Sequence, residues 1–344
     1  MAGCAAATGP TLYGVDELSI TFRAIAEPEP GERFRARFEQ AWPSYRRWFL
    51  RDGDAARPSY AVARRLLHEH MPELVPAWTR LVELAGGGDV AARMLALYDP
   101  PPLVSGCSQA VLGDEAPVLV RNYDFDPALL EGVIALTALR GRSVIGMSDC
   151  LWGLLDGMNE SGLAVSLAFG GRRATGAGFG VSLVLRYLLE TCATTAQAVR
   201  ALERLPVQGA YNVTLLDRGG DAATAYLAAD RRPLVAPTRA ATNHQRAVEW
   251  PEHARATRTL ERERRLRALL GEREDDAIAA FLAPPLRTTA YGDGFGTLYT
   301  AVHRPGAGAV DYLWPGAAWR QSFDAFHEGT RTIALQSTPL RAAA

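Results

Sequence analysis

The chain has 344 residues, 48% of them hydrophobic and 22% charged, with a formal net charge of −1. That balance excludes a disordered chain and gives no electrostatic case for nucleic acid or an anionic membrane as partner. All 37 basic residues are arginine, so chemistry that needs a lysine amine is excluded: Schiff-base and pyridoxal enzymes, phosphate-loop NTPases and Ser-x-x-Lys acylases.

Residues 1–20 hold Asp16 and Glu17 and no apolar run behind a basic start, so no secretory signal is expected. No stretch reaches the roughly 18 to 20 apolar residues of a membrane span. Cys4, Cys107, Cys150 and Cys192 form no close pairs, which argues against a zinc ribbon or a redox pair and for a reduced, cytoplasmic setting. From about 30 to 98 the chain reads as helices. Phe34, Phe38, Trp42 and Tyr45 recur every third or fourth place, with Pro43 a point of kinking or division. A second helix opens at Pro58-Ser59. A third carries Leu74, Trp78, Leu81 and Val82 to a stop at Gly86-Gly87-Gly88, and a short fourth covers 94–98.

Pro100-Pro101-Pro102 forbids helix and marks the sharpest boundary. Beyond it, β-rich runs are expected at 117–121, 163–169, 210–217, 222–229, 233–239, 297–303, 309–314 and 331–336. Helices interrupt them at 181–205, in two pieces with a capping box at Thr194-x-x-Gln197, and at 257–282. This order predicts an α+β domain of antiparallel sheets with helices outside, and not a doubly wound parallel sheet.

The chemistry-bearing residues begin at Ser105-Gly106-Cys107-Ser108, on the boundary itself. Downstream follow Arg121-Asn122-Tyr123-Asp124-Phe125, then Asp156-Gly157-Met158-Asn159-Glu160-Ser161-Gly162, Tyr211-Asn212-Val213-Thr214 and Thr242-Asn243-His244. Taken singly, each has an ordinary reading. A lone Gly-Cys is usually structural, Arg121 and Asp124 form a surface ion pair, and Asn243 is a turn or cap residue. The stretch from Asp156 to Gly162 is hairpin scaffold with Asn and Gly at positive φ, and the arginines near 258–267 make a solvated helix face. His68 and His70 point to different faces, so no metal site is expected. Gly176-Ala177-Gly178-Phe179-Gly180 lacks the third glycine of a dinucleotide loop.

In this order, however, the motifs from Cys107 to about Leu313 resemble the peptidase C45 family of N-terminal-nucleophile (Ntn) hydrolases, the acyl-coenzyme A:6-aminopenicillanic acid acyltransferase family. More distantly they are similar to bile salt hydrolases and acid ceramidases. The resemblance implies an αββα four-layer sandwich of antiparallel sheets. A helical leader at 1–106 would precede a catalytic domain at 107–344. It implies self-cleavage between Gly106 and Cys107, after which the leader stays bound as a small subunit. Glycine at 106 leaves the attacked carbonyl uncrowded and tolerates backbone strain. The freed Cys107 then holds both nucleophile and base, since an α-amine (about 7.7–8.0) and a thiol (about 8.5) ordinarily titrate close together.

By the same resemblance Asp124 accepts from the Cys107 ammonium, and Arg121 lowers the thiol pKa or orients substrate. Asn243 donates to the oxyanion, a backbone N–H near Ala168-Phe169 being the second donor. The family's further arginine is Arg258 or Arg262, of which Arg262, in Thr259-Leu260-Glu261-Arg262, fits its Ser-x-x-Arg pattern better and is expected to contact substrate with Phe169. Tyr211 and Asn212, at the start of a strand, line the pocket or serve equally as a buried aromatic and a ladder residue. The implied activity is that of a cysteine amidohydrolase or acyltransferase acting through an acyl-thioester. Its partners would be a small-molecule amide or acyl donor and an amine acceptor, with no metal and no cofactor. An acyl-coenzyme A or other acyl thioester is admissible as co-substrate. Two alternatives stay open: an intact-chain thiol hydrolase that uses a histidine such as His244, and a non-catalytic binding protein on the same fold.

Overall fold

The computed structural model describes residues 18–102 and 104–335. Cys4, the rest of residues 1–17 and Gln336 of the last expected strand lie outside the described residues. The first described element is β1 (Leu18–Ala26), in which Ile20, Phe22 and Ala24 alternate onto the buried face. Its aromatic repeat then forms a single helix α1 (Glu32–Phe49) that runs through Pro43 undivided. Three helices follow: α2 (Tyr60–His70), capped by the Ser59 hydroxyl, α3 (Val75–Leu84) and α4 (Asp89–Ala96). The short fourth helix thus sits earlier than 94–98.

The body begins with the hairpin β2 (Gly106–Leu112) and β3 (Val118–Phe125) and a meander β4 (Val133–Thr137), β5 (Val144–Asp149), β6 (Gly153–Asn159) and β7 (Ala164–Phe169). The paired helices α5 (Val181–Thr191) and α6 (Thr195–Leu202) come next, the second capped by Thr194 as its box predicts. Strands β8 (Tyr211–Leu216), β9 (Ala222–Ala228), β10 (Arg231–Ala236) and β11 (Ala240–Ala241) lead to α7 (Pro251–Ala256), α8 (Thr259–Leu269) and α9 (Glu274–Phe281). The chain closes with β12 (Thr289–Ala290), β13 (Phe295–Arg304), β14 (Ala309–Trp314), β15 (Ala317–Ser322) and β16 (Gly329–Leu335).

These strands make two sheets, ordered β10-β9-β8-β7-β6-β5-β4-β1-β16 and β11-β2-β3-β13-β14-β15, with β12 beside β13. The sheets face each other through β2, β3, β7 and β8. Helices α5 and α6 cover the first sheet, and α8 and α9 cover the second. This is the four-layer α+β sandwich. Two features depart from the sequence reading. The leader is not helical throughout, because β1 is a strand of the first sheet, and β1 runs parallel to β4 where antiparallel pairing was expected.

Candidate active site

Both faces of β2 and β3 are buried, so side-chain alternation sends alternate residues into two different layers. Ala110, Leu112, Val118 and Val120 pack beneath α8 and α9 against Leu266, Leu269 and Phe281. Val111 and Leu119 face the first sheet at Met158, Ala164 and Leu216. Cys107, two pairs of residues before Val111, points into the same inter-sheet layer, and Ser108 and Asp124 point toward α8. The thiol and the Asp124 carboxylate therefore lie on opposite sides of the hairpin.

Four buried groups meet at Cys107. Arg121 Nη2 donates to its Sγ at 3.4 Å, the Cys107 N–H donates to Asn243 Oδ1 at 2.9 Å, and Arg262 Nη1 donates to its carbonyl at 2.7 Å. The Ser105 hydroxyl lies 3.7 Å from the sulfur. Arg262 also donates to Asn243 Oδ1 at 2.7 Å, to Ser108 Oγ at 2.9 Å and to Asp124 Oδ2 at 3.2 Å. Far from lying on a solvated helix face, it is 2% exposed. Arg258 is the arginine on the outside, paired with Glu261. Asp124 is held by Arg262 and by the Thr297 hydroxyl at 2.7 Å. In this uncut chain the amide of Cys107 is thus held by Asn243 and not by Asp124. Asn243 Nδ2 donates to the carbonyls of Ser105 (3.1 Å) and Phe169 (3.0 Å).

Gly106 owes its identity to packing. It lies opposite Asp124 in the β2–β3 register, and its φ is not in the left-handed region. A Cβ there would overlap the Phe295 ring and press on the Asp124 Cβ. The structure gives this residue a steric reason to be glycine.

Asp156 is the site residue that sequence reasoning missed. It was read as hairpin scaffold, yet it is a fully buried residue of β6 behind Cys107 and Arg121. Its Oδ2 accepts from Arg121 Nη1 and from the Tyr299 hydroxyl, each at 2.6 Å, and its Oδ1 lies 3.3 Å from His303 Nε2. Arg121 Nε donates to the Leu167 carbonyl at 2.9 Å. The guanidinium is therefore pinned on one edge and offers the other to sulfur. The one available signal was an acidic residue in an otherwise apolar run, Leu154-Leu155-Asp156-Gly157-Met158. Of the expected positive-φ positions, Gly162 has one (88°) and Asn159 does not. Asn159 instead bonds the end of α5 through Leu189 and Cys192.

Burial pushes the Cys107 thiol above its ordinary range, and Arg121 works against that rise. Burial also raises Asp124, opposed by Arg262. Burial favours the neutral form of Asp156 as well, but His303 and Arg121 outweigh it and hold Asp156 low, as an anion. The site thus sets one arginine against a thiol and a second against a carboxylate, all buried.

The segment carrying Asn243 is fixed from three sides. Its N–H donates to Thr259 Oγ1 at 2.8 Å. Asn212 Nδ2 donates to the carbonyls of Thr242 and His244, each at 2.8 Å. Gly171, at φ 67°, comes so close that a Cβ would strike the Asn243 carbonyl. Asn212 therefore acts on Asn243 from behind, and Tyr211 packs edge-on against Phe169 at 6.3 Å. His244, the histidine an intact-chain thiol hydrolase would use, bonds Thr242 and Thr259 and faces Glu263 at 3.4 Å.

Helix, sheet, sheet and helix layers, with Cys107 on a buried strand of the second sheet, give the molecule the Ntn-hydrolase fold. The chain belongs to the acyl-coenzyme A:6-aminopenicillanic acid acyl-transferase family, whose profile matches residues 111–319. The match takes in Arg121, Asp124, Asp156, Asn243 and Arg262 and begins after Cys107. Among solved structures, a C2A mutant of conjugated bile acid hydrolase from Clostridium perfringens is similar at 11% identity and TM-score 0.46, over 67% of this chain and 97% of that one. Penicillin V acylase from Agrobacterium tumefaciens is similar at 15% identity and TM-score 0.44, over 69% and 94%. The Caenorhabditis elegans N-acylethanolamine-hydrolyzing acid amidase ortholog is similar at 18% identity and TM-score 0.40, over 58% and 93%. A comparison with curated protein sequences finds no match. No helix among the described residues is long and apolar enough to cross a membrane.

Proposed function

We propose that this chain is a self-processing cysteine amidohydrolase or acyltransferase with Cys107 as nucleophile. The Cys107 sulfur attacks the Gly106 carbonyl carbon. The bond from that carbon to the Cys107 nitrogen breaks, the thiol proton passes to the nitrogen, and Gly106 is left as a thioester on the side chain. Water hydrolyses the thioester to a Gly106 carboxylate, and Cys107 gains a free α-amine beside its thiol. In turnover the α-amine takes the thiol proton and passes it to the leaving group as the substrate acyl moves to sulfur. Water or an acceptor amine then removes the acyl group. The acyl donor is a small amide or an acyl thioester such as an acyl-coenzyme A. The leader stays bound as the partner chain.

The observation that carries this reading is that separate buried groups hold each functional atom of one residue. Arg121 meets the Cys107 sulfur, Asn243 its nitrogen and Arg262 its carbonyl oxygen. An inert core cysteine has no use for three such partners. Asn243, once released from Ser105, is the side-chain donor for the oxyanion, and loss of such a donor costs about 10²- to 10³-fold in turnover. The test is N-terminal sequencing and denaturing electrophoresis of purified protein. Wild type is expected to give a second terminus at Cys107, and Cys107→Ala a single uncut chain. An uncut wild type that keeps its turnover after Cys107→Ala would refute the proposal.

A further inference from the structure

Under the processing reading just given, on which this inference rests, the leader's own tail is the first acyl group that Cys107 carries. Gly106 supplies the attacked carbonyl, so the residue before it lies where the acyl group of an external substrate must lie, because one sulfur attacks both. Whatever surrounds Ser105 in the uncut chain therefore describes the acyl site.

The Ser105 carbonyl accepts from Asn243 Nδ2 at 3.1 Å and faces the imidazole of His253 on α7. His253 is 8% exposed. Its ring stacks on Trp250 at 5.1 Å and meets the edge of Phe169 at 5.0 Å. Among the described residues neither of its ring nitrogens completes a hydrogen bond of ordinary geometry, and the buried indole N–H of Trp250 finds no acceptor either. Buried imidazole and indole groups normally have partners, since leaving one unmet forfeits its hydration without return. Burial, with Arg262 nearby, depresses the imidazole to about 4, so at neutral pH it is uncharged and carries one N–H to donate. An aromatic wall with idle donors, set beside an amide carbonyl of the tail, fits an acyl group that carries an amide carbonyl of its own.

We propose that His253 is a specificity-determining residue for N-acylglycyl and related peptidyl acyl groups, whose inner amide carbonyl takes the place of the Ser105 carbonyl and accepts a hydrogen bond from the imidazole. Three p-nitroanilides of equal acyl length test this on the processed enzyme: N-acetylglycyl, 4-oxopentanoyl, which keeps a carbonyl at the same place, and pentanoyl, which has none. The expected result is a kcat/KM at least about tenfold higher for the two carbonyl-bearing donors than for pentanoyl. His253→Phe is expected to bring that ratio close to one, and His253→Gln, which keeps a donor, to restore part of it. Equal kcat/KM for all three donors in wild type overturns the inference, as does a preference that survives His253→Phe. Turnover of all three without preference would leave the processing reading standing and remove only this one. An uncut chain that turns over none of them removes both.

Discussion

Arg121 faces the Cys107 sulfur because Asp156, Tyr299 and the Leu167 carbonyl have taken the rest of its guanidinium. Since burial raises the thiol and Arg121 opposes that rise, Arg121→Met should move the rising limb of the pH profile of kcat/KM to higher pH. That profile reports the free enzyme's titrating groups. The same change strips a buried anion of its cation, and breaking such a pair costs about 3–5 kcal/mol. Stability and reactivity can then be separated. Arg121→Met/Asp156→Leu removes both members of that ion pair, so urea unfolding should recover part of the lost stability, His303 and Tyr299 losing their carboxylate partner, while the pH profile stays shifted. A profile that does not move in either variant would mean that Arg121 only fills space.

At the scale of elements, the β2–β3 hairpin joins the Gly106–Cys107 bond to the second sheet, and the Phe295 ring of β13 lies where a Cβ on Gly106 would be. Gly106→Ala pushes a methyl group into that ring. It is expected to stop or greatly slow the appearance of a Cys107 terminus while the chain still folds, as judged by its far-ultraviolet circular dichroism. Adding Phe295→Leu should restore part of the cleavage, which a purely electronic role for glycine would not allow. Strands β3, β7, β8, β13 and β14 were legible in the sequence because each is an apolar run with turn residues at its ends, whereas β2 was not among the expected strands. Strands β5 and β6 were not. Gly146 and Gly157 meet backbone to backbone there, and a Cβ on either would strike the facing strand, so glycine, usually a sign of a turn, marks a sheet interior. Strand β1 alternates cleanly, but its partners lie at residues 133–136 and 329–335, beyond any local pattern. Cys107, Asp124 and Asn243 could be picked out by the order of motifs. Arg262 was favoured over Arg258 only by the family's Ser-x-x-Arg pattern, because nothing in the residues Arg258-Thr259-Leu260-Glu261-Arg262 themselves tells which guanidinium the helix turns inward.

At the scale of the whole molecule, leader and body share one core, so cutting Gly106–Cys107 should not separate them. Strand β1 lies between β4 and β16, Phe22 packs on Tyr299 and Trp314, and Trp152 donates to the Leu95 carbonyl of the leader. Another joint is polar. The Tyr45 hydroxyl of α1 donates to Glu131, which also accepts from the Ser148 hydroxyl and the Leu151 N–H. Asp149 beside it is 5% exposed, and burial, with Glu131 adding repulsion, raises its carboxyl to about 8. In the unfolded chain the same carboxyl titrates near 3.9, so between about pH 4 and pH 8 the folded protein holds a proton that the unfolded chain has lost. The sign follows: this group's contribution to stability is fully present below about pH 4, declines as pH rises through the interval by at most about 1.4 kcal/mol per pH unit, and changes no further above about pH 8. Asp149→Asn removes the titration and keeps the shape. Urea midpoints of the two proteins, measured from pH 5 to pH 9, should show the variant gaining on wild type up to about pH 8 and running parallel above it. In both proteins leader and body should unfold in one transition, cut or uncut. A constant difference across the whole range would show that Asp149 is already ionised in the fold, and two transitions would show that the joint does not hold the leader.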